Sequence, residues 1–329
     1  MRAIVTGGAG FVGSHLASLL LRRGHEVIIL DNFSSGNSGN IPFGADLLEC
    51  DINDSLKNMF GNQTVDWVFH LAGKASIVPS IKNPEIYHHV NVTGTLNILE
   101  LARDLKAKRF IYAASGSCYG IPNEVPTSED CRINPMYPYA LTKYLAEQYV
   151  LFWSRIYGLP FVSLRLFNVF GPRMCLSGGY GGLFNTILAQ KFNGQPVVVV
   201  GDGKQKRDFV YVTDVAEAFL SAAESEVENE VFNVGSGASV SVNYILECLG
   251  IKECDVRRLP ERPGEPFETR ADTTKISHGL GWCSKTDFDE GLQLMVSDVE
   301  YWKKGKVWTW EESVEAQKEW YLLLGHKNI

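Results

Sequence analysis

The stretch Thr6-Gly7-Gly8-Ala9-Gly10-Phe11-Val12-Gly13 decides the reading of this chain. It follows a segment of strand character, residues 2–6, and opens a helical pattern over 11–23 with Phe11, Leu16, Leu19 and Leu20 on one face. The glycines at 7, 10 and 13 are spaced GxxGxxG. A phosphate held at a helix N-terminus needs backbone N–H groups within reach, and side chains block that approach. Gly7 permits the sharp turn, Gly10 lets a pyrophosphate come near, and Gly13 lets the helix pack on the sheet. A glycine-rich structural turn reads the same in isolation. The strand–turn–helix context selects the dinucleotide reading.

Working outward, short apolar runs alternate with helical patterns. Strands are expected at 26–30, 46–49, 65–70, 109–113 and 161–166, and a polar loop at 32–40. Residues 85–105 read as one long helix, 138–157 as another. Such alternation implies an α/β chain: a Rossmann-type, doubly wound parallel sheet with helices on both faces. Past residue 171 the segments shorten and Gly and Pro become frequent. The expectation is a dinucleotide-binding domain over 1–173, with a later segment returned to it, and a smaller α/β substrate-binding lobe over 174–329. Residues 308–324 are aromatic and helical in pattern, read as a helix packed on the body.

Asp31 ends the second strand, where a carboxylate accepts hydrogen bonds from adenosine ribose hydroxyls and repels a 2′-phosphate. NAD is therefore expected over NADP. Asp51 and Ile52 follow the third strand and are expected to border the adenine, although Asp51 could equally cap the next helix.

Composition narrows the function classes. The chain has 329 residues and a net charge of -7, which argues against a nucleic-acid binder because phosphate contacts need clustered Lys and Arg. Seven cysteines occur without a CxxC pair, so neither a disulfide framework nor a metal site is indicated. No apolar run is long enough to cross a bilayer. A soluble protein of the reducing cytoplasm, with no membrane partner, is expected.

Tyr139-Ala-Leu-Thr-Lys143 carries the candidate chemistry. Residues at i and i+4 share a helix face. An ammonium beside a phenol is expected to favour the phenolate and lower the tyrosine pKa, making Tyr139 a proton carrier near neutral pH. Of 13 tyrosines, only Tyr139 has a lysine four residues on. Ser115 follows the strand 109–113, at the carboxyl edge where doubly wound sheets bind ligands. A turn or capping serine is the alternative there, since Gly116 and Ser117 follow.

With these residues in view, the chain resembles the extended short-chain dehydrogenase/reductase family, and within it the UDP-glucose 4-epimerase-like nucleotide-sugar enzymes. The resemblance runs through 6–15, Leu30-Asp31-Asn32, His70-Leu71-Ala72-Gly73, Asn91-Val-Thr-Gly-Thr95, 115–120, 139–143, 164–168, Gly171-Pro-Arg173, Gly201-Asp-Gly203, 207–210 and Arg262-Pro-Gly-Glu265. It implies a cofactor site of Gly7, Gly10, Phe11, Val12, Gly13, Asp31, Asn32, Asp51, Ile52, Leu71, Ala72 and Lys143, and a catalytic set of Ser115, Tyr139 and Lys143. It further implies that Asn168, Arg207, Arg262 and Glu265 grip the nucleotide diphosphate and its ribose. Guanidinium forks suit a diphosphate.

The implied reaction is epimerisation, usually at C4, of a UDP-hexose or UDP-N-acetylhexosamine through a transient 4-keto sugar. A small residue at Thr269, seven places after Arg262, would admit an N-acetyl group. Family dehydratases and decarboxylases carry acids just after the catalytic serine, where this chain has Gly116-Ser117. Those reactions, and reduction, remain the alternatives on the same scaffold. A non-catalytic NAD-sensing protein is the alternative of another class. Cys118 is read as a packing residue, and the glycine-rich 174–182 departs from common epimerase loops. A homodimer is a further implication of the family.

Overall fold

The computed structural model describes residues 1–61, 63–176 and 182–325. Residues 177–181 of the glycine-rich 174–182 segment lie outside the described residues. The strands β1 (Arg2–Thr6), β2 (Glu26–Asp31), β3 (Asp46–Glu49), β4 (Trp67–His70), β5 (Arg109–Ser115) and β6 (Phe161–Leu166) come from the first half of the chain. Later come β7 (Asn168–Phe170), β8 (Val197–Val200), β9 (Lys206–Arg207), β10 (Phe209–Tyr211), β11 (Glu230–Val234), β12 (Val240–Ser241) and β13 (Val256–Leu259). One sheet has the order β11-β6-β5-β4-β1-β2-β3. Every pair in it is parallel. The order reverses between β1 and β4, and the carboxyl ends of strands at such a point form a ligand crevice. Three short strand pairs, β10–β7, β12–β9 and β13–β8, build the C-terminal part.

Helices cover both faces of the sheet. They are α1 (Phe11–Arg22), α2 (Ile77–Lys82), α3 (Pro84–His88), α4 (Gly94–Asp104), α5 (Pro138–Tyr157), α6 (Leu183–Phe192) and α7 (Val212–Glu224). The remainder are α8 (Val242–Cys248), α9 (Thr274–Leu280), α10 (Phe288–Val296), α11 (Val299–Lys303) and α12 (Trp310–Leu324). Leu16, Leu19 and Leu20 of α1 share a core with Val215, Phe219 and Ala222 of α7. On the opposite face, Ile98 and Leu99 of α4 pack with Ala146, Val150 and Trp153 of α5. A third core, around Phe170, Phe184, Phe209 and Trp302, lies in the C-terminal part.

The single helix expected over 85–105 is instead α3, a π turn at His89–Thr93, and α4. The cause is Asn91, which is buried and spends its side-chain amide on other elements. Its Oδ1 accepts from Lys74 N–H at 2.8 Å, and its Nδ2 donates to Lys74 O and Thr142 Oγ1, both at 3.0 Å. A wider turn accommodates a side chain that ties a helix to its neighbours. The strand expected at 109–113 runs on to Ser115. The C-terminal helix starts at Trp310 because Thr309 and Glu312 form a reciprocal capping box.

Candidate active site

The glycine turn between β1 and α1 is shaped by backbone contacts that leave no space for side chains. Gly7 has φ +70°, and a Cβ there would lie 2.9 Å from the backbone of Ala72. A Cβ on Gly13 would lie 2.2 Å from Gly7 O. Helix α1 begins at Gly10 with no side-chain cap and no acidic residue in its first turn. Its first N–H groups therefore face the crevice with the positive end of the helix dipole. These features fit a dinucleotide pyrophosphate. Asp31 ends β2 and is buried; its Oδ2 accepts from Ala9 N–H at 2.9 Å and its Oδ1 from Phe33 N–H at 2.8 Å. The carboxylate is thus fixed at the turn and keeps lone pairs for ribose hydroxyls. Asn32 Nδ2 donates to Asp51 Oδ2 at 2.7 Å, and Asp51 Oδ1 accepts from Asn53 N–H at 2.8 Å. Asp51 therefore closes a turn. Ile52 is buried against Gly94.

A buried polar chain supports the next loop. Thr6 Oγ1 accepts from Leu71 N–H at 3.2 Å and Ala72 N–H at 3.1 Å, and meets His70 Nδ1 at 2.7 Å. His70 Nε2 meets Thr95 Oγ1 at 2.9 Å, and that hydroxyl donates to Asn91 O at 2.6 Å. Since the Thr95 proton is committed, His70 donates from Nε2 and accepts at Nδ1 from Thr6. Burial pushes its pKa down to about 3, so the ring is neutral. Thr6, His70, Asn91 and Thr95 fall in stretches that carry the family resemblance but were given no role in the sequence, because spacing alone does not separate them from core polar residues.

Tyr139 and Ser115 hydrogen-bond at the carboxyl end of β5, and Lys143 Nζ lies beside Gly73, just past β4. Tyr139 lies in the first turn of α5, whose N-cap Tyr137 is followed by Pro138. Its N–H donates to Ser80 Oγ of α2 at 3.1 Å. Lys143 is buried, its Nζ 4.4 Å from the ring centroid of Tyr112 on β5. Ser115 Oγ accepts from Ser117 N–H at 3.2 Å and meets Ser117 Oγ at 2.8 Å. The capping role weighed for this serine is therefore real, and the same hydroxyl stands beside the Tyr139 phenol.

The expected electrostatics of Tyr139 need correction. Burial raises its pKa above the ordinary tyrosine value, and the hydroxyl that eases its ionisation is Ser115, not the Lys143 ammonium. Lys143 is itself perturbed: burial lowers its pKa to about 7, against a raising influence from Glu147. A desolvated ammonium that is half discharged near neutrality cannot supply a full counter-charge to the phenol.

Glu147 extends the face, eight residues after Tyr139 and four after Lys143. It is buried and paired with Arg165 Nη2 at 2.7 Å, while Ser163 Oγ donates to it at 2.9 Å. Arg165 Nη1 donates to Tyr119 Oη at 2.9 Å, and Tyr119 Oη to Asn233 Oδ1 at 2.7 Å. This network joins α5, β6 and β11 beneath the site. A carboxylate at the i+4 place of a helix face otherwise meant for the core was the signal available in the sequence. Cys118 is buried and its thiol is pushed up to about 12 by burial, consistent with packing.

The residues assigned to the nucleotide form a second group. Arg207 Nη2 donates to Glu265 Oε1 at 2.9 Å, and Arg262 Nη1 lies 3.8 Å from Glu265 Oε2. Both arginine side chains are largely buried, 12% and 10% exposed, so neither is a solvated surface charge. Asp208, fully buried, accepts N–H bonds from Ser236, Gly237 and Ala271 and holds the strand of Arg207 in place. Asn168 opens β7, its N–H bonded to Asp208 O at 3.0 Å. Tyr137 bridges the groups: its ring stacks parallel to Tyr139 at 6.5 Å, and the charges of Glu265 and Arg207 reach it from the other side. Thr269 hydrogen-bonds through its N–H to Lys206 O at 3.1 Å, and its hydroxyl is buried without a partner among the described residues. It stands with Arg207, not with the Ser115–Tyr139–Lys143 group.

No described helix is long and apolar enough to cross a membrane, and no metal-binding cluster occurs among the described residues. The sequence profile of the NAD dependent epimerase/dehydratase family matches residues 3–235. The UDP-glucose 4-epimerase of Mycolicibacterium smegmatis is 34% identical over 309 residues, an alignment covering 90% of this chain and 97% of that protein. Among solved structures, the UDP-glucose 4-epimerase of Thermotoga maritima with UDP-glucose superposes with TM-score 0.85 at 38% identity, covering 92% of this chain and 99% of its own. The UDP-glucose 4-epimerase of Thermus thermophilus in complex with NAD gives TM-score 0.83 at 34% identity, covering 93% and 100%. The glycine turn, the parallel sheet and these matches agree, and the chain belongs to the NAD dependent epimerase/dehydratase family.

Proposed function

We propose that this chain is an NAD-dependent nucleotide-sugar 4-epimerase acting on a UDP-hexose or UDP-N-acetylhexosamine. The observation that carries the reading is the hydrogen bond between the Ser115 hydroxyl and the Tyr139 phenol, on a helix that also carries Lys143, with Gly116-Ser117, not acids, following the serine. Without a carboxylate there, elimination of water lacks its acid and base. The glycine turn and α1 would hold the NAD pyrophosphate, Asp31 its adenosine ribose, and Leu71, Ala72 and Lys143 its nicotinamide end. Held there, NAD would supply a reversible hydride acceptor for the sugar carbon and add a positive charge to the site.

The remaining chemistry belongs to the chain. In its ionised form, which the Ser115 hydroxyl and the positive charge of bound NAD would favour, Tyr139 Oη takes the proton of the sugar hydroxyl and later gives it back. Ser115 Oγ–H, which eases the ionisation of the phenol in the unliganded site, turns to donate to the sugar oxygen when substrate is bound. Lys143 Nζ binds ribose hydroxyls and orients the ring. Arg207, Arg262 and Asn168 hold the diphosphate and Glu265 the uridine ribose, so the sugar can turn while its nucleotide stays fixed.

The chain is also proposed to pair with a second copy through α5. Leu141, Tyr149, Phe152 and Ile156 lie on one face of that helix and are 45%, 40%, 47% and 55% exposed. A cytoplasmic setting suits a chain whose seven cysteines include no CxxC pair. Incubation with UDP-glucose and UDP-N-acetylglucosamine, followed by NMR and mass spectrometry, tests the function. An epimer of unchanged mass without consumption of added NADH supports it. Loss of water or carbon dioxide would assign the chain to a sister reaction.

A further inference from the structure

Helix α12 reaches the nucleotide group from outside the sheet. Its capping box gives it a defined start, and the segment before it is tied down by Gln190 of α6. The fully buried Gln190 donates from Nε2 to Trp308 O at 2.7 Å and accepts from Val198 N–H at 3.0 Å. At the far end, Trp320 is buried on Val78 of α2, lies 5.9 Å from the Tyr137 ring, and donates from Nε1 to Pro263 O at 2.9 Å. The helix thus touches α2, whose Ser80 receives the Tyr139 N–H, and the Arg262–Pro263 turn.

Between these anchors, fully buried Gln317 accepts from Arg262 Nε–H at 2.8 Å, and the Arg262 guanidinium lies 5.4 Å from the Trp320 ring centroid. A guanidinium has five N–H donors in one plane. With Nε held on an amide oxygen and one face on an indole, the Nη1 group lies 3.8 Å from Glu265 Oε2.

We propose that α12 is a positioning clamp for the nucleoside-diphosphate end of the substrate, with Gln317 and Trp320 as positioning residues that aim Arg262. The proposal rests on the reading of Arg262 as a diphosphate ligand. Because Gln317 and Trp320 act through Arg262, they set how tightly the substrate is held and leave the rate of the bound complex unaltered.

The test compares Gln317→Leu, Gln317→Glu, Arg262→Leu and the Gln317→Leu/Arg262→Leu double variant, using KM and kcat for UDP-glucose, UDP affinity by calorimetry, and thermal unfolding. Loss of a charge-assisted hydrogen bond predicts a roughly ten-fold rise in KM and in the UDP Kd for Gln317→Leu, with kcat within about two-fold of the parent. Gln317→Glu keeps the acceptor and stays within about three-fold. In the double variant the glutamine change adds nothing, because its partner is gone. Trp320→Phe keeps a ring against the guanidinium and loses only the N–H to Pro263, so it reads the clamp at less risk to folding; a KM rise of about three-fold is expected. An unchanged KM in Gln317→Leu and Trp320→Phe, while Arg262→Leu raises it, overturns the clamp and leaves the substrate reading standing. Additive losses in the double variant also overturn it. An unchanged KM in Arg262→Leu removes the substrate reading itself.

Discussion

Replacing Lys143 by Met should stabilise the fold while disabling the site. The ammonium is buried, and burial lowers its pKa from 10.5 to about 7. At ~1.36 kcal/mol per unit, keeping this lysine costs the native state at most about 5 kcal/mol wherever the unfolded chain carries it charged. Methionine has similar reach and no charge, and its introduction orphans nothing, because Glu147 keeps Arg165 and Ser163. A gain of roughly 2–4 kcal/mol at pH 6 is therefore expected. With an unfolding entropy near 2.1 cal/mol/K per residue, the 329-residue chain should melt about 3–6 °C higher. Below about pH 7 both states are protonated and the cost is whole. Between about 7 and 10.5 the unfolded chain binds the extra proton, so parent stability rises with pH. Above that window both states are neutral and the cost is gone. Calorimetry on nucleotide-free parent and variant from pH 6 to pH 10 checks this. A variant less stable at pH 6, or a gap that stays flat with pH, refutes the reasoning.

Two further substitutions probe the supporting geometry. Asp31→Ala should weaken NAD binding about ten-fold or more and narrow the preference for NAD over NADP, since charge-assisted bonds of about 1.5–3 kcal/mol are lost; fluorescence titration with both nucleotides measures it. Glu147→Gln leaves the Arg165 guanidinium buried without its counter-charge and should cost about 3–5 kcal/mol, a fall in Tm of roughly 4–7 °C. The double variant Glu147→Gln/Arg165→Met should recover much of that loss, because it removes the stranded charge.

The sheet and its glycine turn were legible because each depends on local chemistry. Gly7 and Gly13 meet backbone atoms that exclude a Cβ, and β1, β4 and β5 are buried on both faces, so their sequences are short apolar runs. The spacing of Tyr139 and Lys143 was equally visible, since four residues make one helical turn. Their electrostatics were not. A phenol four residues from a lysine reads as activated, yet the depth at which both sit is set by Tyr112, Ser115 and β5, none of which is near in sequence. The π turn at Asn91 was hidden for the same reason, because its cause lies in Lys74 and Thr142. The contact of Gln317 with Arg262 spans 55 residues and has no local pattern to announce it.

The central claim is that the Tyr139 hydroxyl carries the proton of the reacting sugar oxygen. The direct measurement is the rate of interconversion of UDP-glucose and UDP-galactose by Tyr139→Phe, followed by NMR on protein whose NAD content and melting temperature match the parent. Loss of proton transfer predicts a rate reduced by about 10²–10⁴-fold with NAD still bound. A rate within a few-fold of the parent would contradict it.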